Sequence, residues 1–302
     1  MRKSLVAALA TATSATAVLL AGPVTPATAA SPYCNQTTPS TSILFYKAGS
    51  GEAGTGTLSA GRWQYKSAFK LPAGYTHAAA SRDSLVLYNT NTGAGEVGTF
   101  TGGRYARTQS FTNFSTGWTF VEASGDSVIF YNGNTGHGVT GTLKNGAYRQ
   151  GRVYDNFSGG WGTMAASCDT LVSAARHGSG DFPWSNVGYG TLKGGVYTDK
   201  GSIPRDDFLG NLTATKDSVL SWARSGGGLE FRVSKATDGS GIAFRKIGTS
   251  GIWDKVGRTS DSLLFYKNDG TAWTSTLVNG AYANVGSLPQ VSSGWTLIEG
   301  GV

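Results

Sequence analysis

Beyond its first thirty residues, this chain carries its apolar residues in short runs set off by polar turn residues, never in the long stripes an amphipathic helix would need. The clearest run belongs to a six-residue phrase in which two polar residues precede four apolar ones. It reads Asp83-Ser-Leu-Val-Leu-Tyr88, Asp126-Ser-Val-Ile-Phe-Tyr131 and Asp261-Ser-Leu-Leu-Phe-Tyr266, with degenerate copies at 41–46, 169–174 and 217–222. The copies start at 41, 83, 126, 169, 217 and 261, and so follow one another at 42, 43, 43, 48 and 44 residues. A period of this length carrying short strands is the mark of a repeat architecture.

Within a unit the pattern predicts four strands. The phrase itself is apolar almost throughout, which fits a strand buried on both faces. A Gly-rich turn follows, then a strand ending Gly-Thr-Leu or Gly-Thr-Phe. A hairpin turn such as Asn145-Gly146 or Asn279-Gly280 leads to a third strand opened by Tyr105, Tyr148 or Tyr282. Asn-Gly suits a two-residue primed turn because both central positions need positive φ. The fourth strand carries Gly-Trp-Thr, as at Gly117-Trp118-Thr119 and Gly294-Trp295-Thr296. The repeated Asp, at 83, 126, 169, 217 and 261, falls in the turn before the apolar strand, where its carboxylate can accept backbone N–H groups across the bend.

Four antiparallel strands in about 43 residues make one propeller blade, and six of them make a ring. The expected fold class is therefore all-β, a six-bladed β-propeller. Counted from the Gly-Trp-Thr strand, complete units begin near Gly74, Gly117, Gly160, Gly210 and Gly251, leaving one such strand at 294 and three strands over 41–71. Together these fragments amount to one blade, so the last strand is expected to pair with the first blade and close the ring, removing exposed sheet edges. Two three-repeat trefoils are the competing architecture, but nothing between the third and fourth units reads as a linker.

The first thirty residues stand apart. Arg2 and Lys3 precede an apolar run from Leu5 to Leu20, and small residues close the stretch at Ala27-Thr28-Ala29-Ala30, the layout of a secretory signal. The expected organisation is a signal peptide over 1–30, an arm over 31–40 and one propeller domain over 41–302, in a secreted, extracellular and monomeric protein without membrane insertion. Cys34 and Cys168 are the two cysteines of the chain and, in an exported protein, are expected to form a disulfide that pins the arm to the body. The formal net charge is +7, of which Arg2 and Lys3 supply two, and no Lys/Arg cluster marks a nucleic-acid footprint.

Candidate chemistry is sought where the units disagree. The fourth unit carries the longest insertion, over 176–189, with Phe182, Trp184 and Tyr189. In the fifth, Trp222 stands where other units have Tyr; in the sixth, Trp273 opens the strand after the turn. Glu96 and His137 occupy the Gly-rich turn of the second and third units. These seven residues are the candidate ligand-binding set, because exposed aromatic faces stack on the C–H faces of sugars. Trp118, Trp161 and Trp295 recur and are expected to pack blades instead. The three histidines, His77, His137 and His177, lack zinc spacing, and no nucleophile elbow or phosphate loop is present. The expectation is no catalytic activity, no cofactor and no metal.

The repeat DSLLFYxxxTGxGxTGTLxNGxY…FSxGWTxIxAS resembles modules of secreted actinomycete β-propeller proteins and is similar to tachylectin-like propeller lectins. That resemblance implies multivalent binding of glycans or cell-wall polysaccharide. The chain also resembles secreted actinomycete propellers of the dispase autolysis-inducing kind. These imply a protein partner instead: modulation of a secreted protease, service as a transglutaminase substrate with Gln36 the first glutamine to test, or membership of an extracellular assembly.

Overall fold

The computed structural model describes residues 34–35, 39–155, 157, 160–176, 184–203, 210–225, 228–240, 242–289 and 291–302. They form six four-stranded antiparallel sheets and no helix. The first blade holds β1 (Ser42–Tyr46), β2 (Glu52–Ser59) and β3 (Arg62–Lys70); the second holds β4 (His77–Ala80), β5 (Ser84–Tyr88), β6 (Gly95–Thr101) and β7 (Arg104–Phe111). The third comprises β8 (Phe120–Ala123), β9 (Ser127–Asn132), β10 (His137–Lys144) and β11 (Ala147–Tyr154), and the fourth β12 (Trp161–Ala166), β13 (Thr170–Arg176), β14 (Trp184–Lys193) and β15 (Val196–Ile203). The fifth comprises β16 (Asn211–Ala214), β17 (Ser218–Ser225), β18 (Gly228–Lys235) and β19 (Arg245–Ser250). The sixth has β20 (Lys255–Arg258), β21 (Ser262–Tyr266), β22 (Ala272–Val278) and β23 (Ala281–Ser287), and β24 (Leu297–Gly300) ends the series.

β24 pairs with β1, Tyr46 opposite Leu297 and Ile43 opposite Gly300, so the sheet order of the first blade is β24-β1-β2-β3. Around the axis β24 touches β4, β4 touches β8, and the series runs on through β12, β16 and β20 back to β24. The ring is closed as the split unit predicts. Each blade's second strand is the buried phrase: every residue of β1, β5 and β21 is buried, because it is covered by a neighbouring blade on both faces. The outermost pairing of each blade carries a register shift, between Thr55 and Gly56 in the first and between Val97 and Gly98 in the second. A bulge there twists the exposed edge away from further pairing.

The repeated Asp does more than close its own bend. Asp83 accepts the Ser84 hydroxyl at 2.6 Å and the backbone N–H of Asn145 at 2.9 Å, while Ser84 Oγ accepts Gly146 N–H at 2.8 Å. Asn145 and Gly146 are the hairpin turn of the next blade, so the Asp-Ser pair and the Asn-Gly turn are two halves of one clamp. The clamp recurs from Asp126 to Gly194, from Asp169 to Asp238, from Asp217 to Asn279 and from Asp261 to Ala60. In the first blade Thr41 replaces the Asp, and Ser42 alone accepts Gly103 N–H. Asn145 and Gly146 both have positive φ, as the primed turn requires, and a Cβ on Gly146 would come within 3.0 Å of the Thr99 backbone nitrogen.

Two further devices hold the axis. Backbone bonds run from Arg82 to Gly125, Gly125 to Cys168, Cys168 to Lys216, Lys216 to Ser260 and Ser260 to Ser40, linking the blades where their innermost strands end. Cys168 is buried in this girdle and bonded to Cys34, with Cα atoms 5.5 Å apart, so the arm is anchored at one end of the axis. Above the girdle Arg258 crosses the ring: it pairs with Glu299 at 3.1 Å in the first blade and Glu122 at 2.9 Å in the opposite, third blade, and donates to the Ala166 carbonyl.

Candidate functional site

The structure distributes six of the seven sequence candidates over five blades and does not bring them together. Phe182 lies outside the described residues. Trp184 opens β14, opposite Arg176 in register. Tyr189 is half-buried against the core between the fourth and fifth blades, and Trp222 and Trp273 against that between the fifth and sixth. Trp222 takes the place of an anchoring Tyr. In other blades that hydroxyl ties down the link to the next blade: Tyr46 donates to the Pro72 carbonyl at 2.7 Å and Tyr266 to the Ser292 carbonyl at 3.0 Å. Trp222 Nε1 is buried with no hydrogen-bond partner.

Glu96 lies inside the second blade, 1% exposed, and accepts hydroxyls from Tyr75 and Tyr105, each at 2.9 Å. Burial, with the adjacent carboxylate, holds both phenols protonated, so this trio is a satisfied internal network. His137 is partly exposed; its ring stacks on Trp118 with centroids 5.4 Å apart, and its Nδ1 lies 3.3 Å from Asp155. Trp118 and Trp161 are buried, as their recurrence predicts.

Trp295 packs on the core between the first and sixth blades, as expected, but it is not fully covered. It is half-buried and forms one wall of a cleft of about 260 Å³ with Phe45, Gly54, Trp63, Tyr65, Pro289, Val291 and Ser292. Phe45, Gly54, Trp63 and Tyr65 come from β1–β3, and the rest from the link between β23 and β24, so the cleft straddles the seam where the ring closes. Phe45 sits at its base, 5.1 Å from the Trp63 ring and 5.7 Å from that of Trp295. Tyr65 stands on the rim, 57% exposed.

β2 contributes no side chain to this space, although glycine alone does not make a cleft, since the fourth blade has Gly188 at the matching position. Gly54 pairs with Phe45; the corresponding pairs are Leu87 with Glu96, Phe130 with Val139 and Phe265 with Trp273. Side chains fill this space in those three blades, and in the first blade it is empty. A Cβ on Gly54 would meet Trp295 at 3.8 Å and Tyr65 at 4.0 Å, ordinary contact distances. Gly56, two residues on, lets Trp63 lie flat on the strand: a Cβ there would meet the indole at 2.2 Å.

The lining carries no charge. Trp295 Nε1 is buried without a hydrogen-bond partner, and the exposed polar group of the lining is Tyr65 on the rim. Lys47 lies 5.0 Å from the Trp295 ring centroid and is paired with Glu52 at 3.0 Å. The Tyr266 hydroxyl fixes the second wall, donating to the Ser292 carbonyl and accepting the backbone N–H of Trp295 at 3.4 Å. The sequence did hold a signal for this site. Trp63 and Tyr65 replace the Tyr105 and Arg107, or Tyr148 and Gln150, of the clean units, and Gly54 stands where those have Glu96 and Val139.

The axis is the second polar centre. Burial pushes the Glu299 carboxyl up to about 7 and raises Glu122 as well, against the pull of Arg258. Burial alone would lower the Arg258 guanidinium; the two carboxylates raise it. The three groups satisfy one another across the ring.

No family model matches the chain, and no curated protein matches its sequence. Among solved structures it is similar to a putative 6-phosphogluconolactonase from Bacteroides uniformis (12% identity, 87% of this chain and 100% of that one, TM-score 0.52). It is similar also to a putative 6-phosphogluconolactonase from Bacteroides fragilis (10% identity, 86% and 98%, TM-score 0.51) and to a chain of a nidogen/laminin complex (10% identity, 87% and 98%, TM-score 0.53). The expectation of no catalytic activity is corrected here: proteins described as enzymes are built on this ring, so missing catalytic motifs do not exclude catalysis on it. At these identities, what the chain shares with all three is the propeller fold.

Proposed function

We propose that this protein is an exported carbohydrate-binding propeller that receives one sugar ring in the seam cleft. The observation that carries the reading is the cleft itself: Trp63, Tyr65 and Trp295 around the space beside Gly54. A pyranose offers apolar C–H faces to such walls and a ring of oxygens to the exposed Tyr65 on the rim. At about 260 Å³ the space is just below the usual range for ligand pockets, about 300–1,000 Å³, which suits one ring. Export rests on the layout of residues 1–30 and accords with the disulfide. The kinship with actinomycete propeller lectins is part of this proposal.

One observation favours a second reading, in which a partner protein inserts a side chain here. The cleft occupies a single sector, whereas a multivalent lectin repeats its site on several blades. A glycan array with the mature protein and its Trp63→Ala variant separates the two. The carbohydrate reading expects saturable binding lost in the variant. Absence of binding to every glycan, with a stoichiometric protein recovered from culture supernatant by the parent and not by the variant, would establish the other.

A further inference from the structure

Neither end of the chain completes the cleft alone. Phe45, Gly54, Trp63 and Tyr65 come from the N-terminal strands, and Pro289, Val291, Ser292 and Trp295 lie just before the C-terminal strand. In the five other blades the innermost strand joins its neighbour through a tight turn, such as 81–83 between β4 and β5. The innermost strand of the first blade, β24, has no such turn, and its attachment to β1 is noncovalent. Four residue pairs hold it, from Ile43–Gly300 to Tyr46–Leu297. Thr296 adds a side-chain latch: its hydroxyl donates to the Tyr46 carbonyl at 2.9 Å and accepts the Ala48 N–H at 2.8 Å. Thr296 does not line the cleft, yet it adjoins Trp295 and fastens the wall that Trp295 forms.

We infer that occupancy of the cleft and closure of the ring are one coupled equilibrium, with Thr296 a positioning residue for the site. This rests on the carbohydrate reading only for the identity of the occupant. A ligand touching both walls binds the closed seam and not the open one, so it must stabilise closure, and a looser seam must weaken binding by the same factor. The seam concerned is that of β24 with β1, although Phe45, Trp63 and Trp295 also share a core with Leu264 and Tyr266 of the sixth blade.

A surrogate for the ligand exists in the other blades. Gly54→Val supplies from within the side chain that the third blade carries as Val139. Its Cβ meets Trp295 and Tyr65 at contact distances, so the side chain is directed into the cleft. Gly188→Val, at the matching position of the fourth blade, controls for the strand preference of valine.

Hydrogen exchange of the intact mature protein, resolved by residue, is the test. In Gly54→Val the amides of 43–46 and 297–300 should exchange about five- to ten-fold more slowly, while those of 85–88 stay unchanged; Gly188→Val should leave the seam unchanged. The same seam protection should appear in the parent on adding a binding oligosaccharide from a panel of xylan, chitin, glucan, galactan and mannan fragments. Thr296→Val should weaken that binding about two- to five-fold, the loss expected of a partly exposed latch. Unaltered seam exchange in Gly54→Val overturns the coupling whether or not any sugar binds. A bound sugar without seam protection overturns the coupling and leaves the carbohydrate reading standing. Failure of every fragment to bind, with seam protection still present in Gly54→Val, overturns the carbohydrate reading and supports the coupling.

Discussion

At the residue scale, one position can decide between packing and a site. Glu96 and Gly54 hold equivalent places in adjacent blades, paired with Leu87 and Phe45. Glu96 turns its place into a closed network with Tyr75 and Tyr105, and Gly54 leaves its place open. Glu96→Ala should therefore cost stability and not binding. It strands two buried hydroxyls and opens a void, a loss of about 2–4 kcal/mol by urea denaturation, with glycan affinity unchanged. Trp63→Ala should do the reverse at the cleft, abolishing binding by titration calorimetry while the protein stays folded. A Gly56→Ala change tests why Trp63 can lie where it does: the added methyl meets the indole, and a midpoint unchanged in urea would contradict that contact.

At the element scale, the unit of construction is the join between blades as much as the blade. Asp217 and Ser218 hold the Asn279-Gly280 turn of the next blade through bonds of 2.8 and 2.7 Å. Asp217→Ala should lower stability by about 1–2 kcal/mol. In a double-mutant cycle with Ser218→Ala the two losses should fail to add, because both residues serve one turn. Additive losses would mean the two bonds act independently. The anchoring tyrosines work on the same scale. Where Tyr266 is present it holds the loop from Ser292 to Trp295 that walls the cleft, and where Trp222 replaces it an indole nitrogen goes unpaired.

At the scale of the whole molecule, the axis makes stability depend on pH. Glu299 is pushed up to about 7 by burial, above the ordinary glutamate value near 4.3. The folded state then holds a proton that the unfolded chain releases between these values, so the contribution of Glu299 is fully present below about pH 4 and is lost as pH rises through 7. Glu299→Gln should flatten the urea midpoint between pH 5 and pH 8, with an effect on the order of 1–3 kcal/mol across that window; a midpoint that falls as steeply in the variant as in the parent would assign the dependence elsewhere. Arg258 stays paired with Glu122 in that variant, so the ring remains tied across its axis. The Cys34–Cys168 bond acts at the same scale. Its reduction should cost about 2–4 kcal/mol, read by thermal unfolding with and without reductant.

The repeat, the strand count, the split blade, the primed turns and the cysteine pair were all legible in the sequence. Each rests on local patterning: apolar runs between turn residues, glycine where φ must be positive, and a period that counts the units. The candidate site was legible only in part. Among the irregular units, the fourth and fifth drew attention because they are long. The first blade departs quietly, by Gly54, Trp63 and Tyr65, and its cleft needs Trp295 from the far end of the chain. Trp295 belongs to a recurring motif and so reads as packing. Whether such a Trp is buried like Trp118 or lines a cleft depends on the residue two strands away in the assembled sheet. Likewise the Asp of the repeat reads as a turn residue, and only the ring places the next blade's hairpin against its carboxylate. Local chemistry written along the chain determined the blade; contacts between residues more than 200 positions apart decided where the blade leaves room for a ligand.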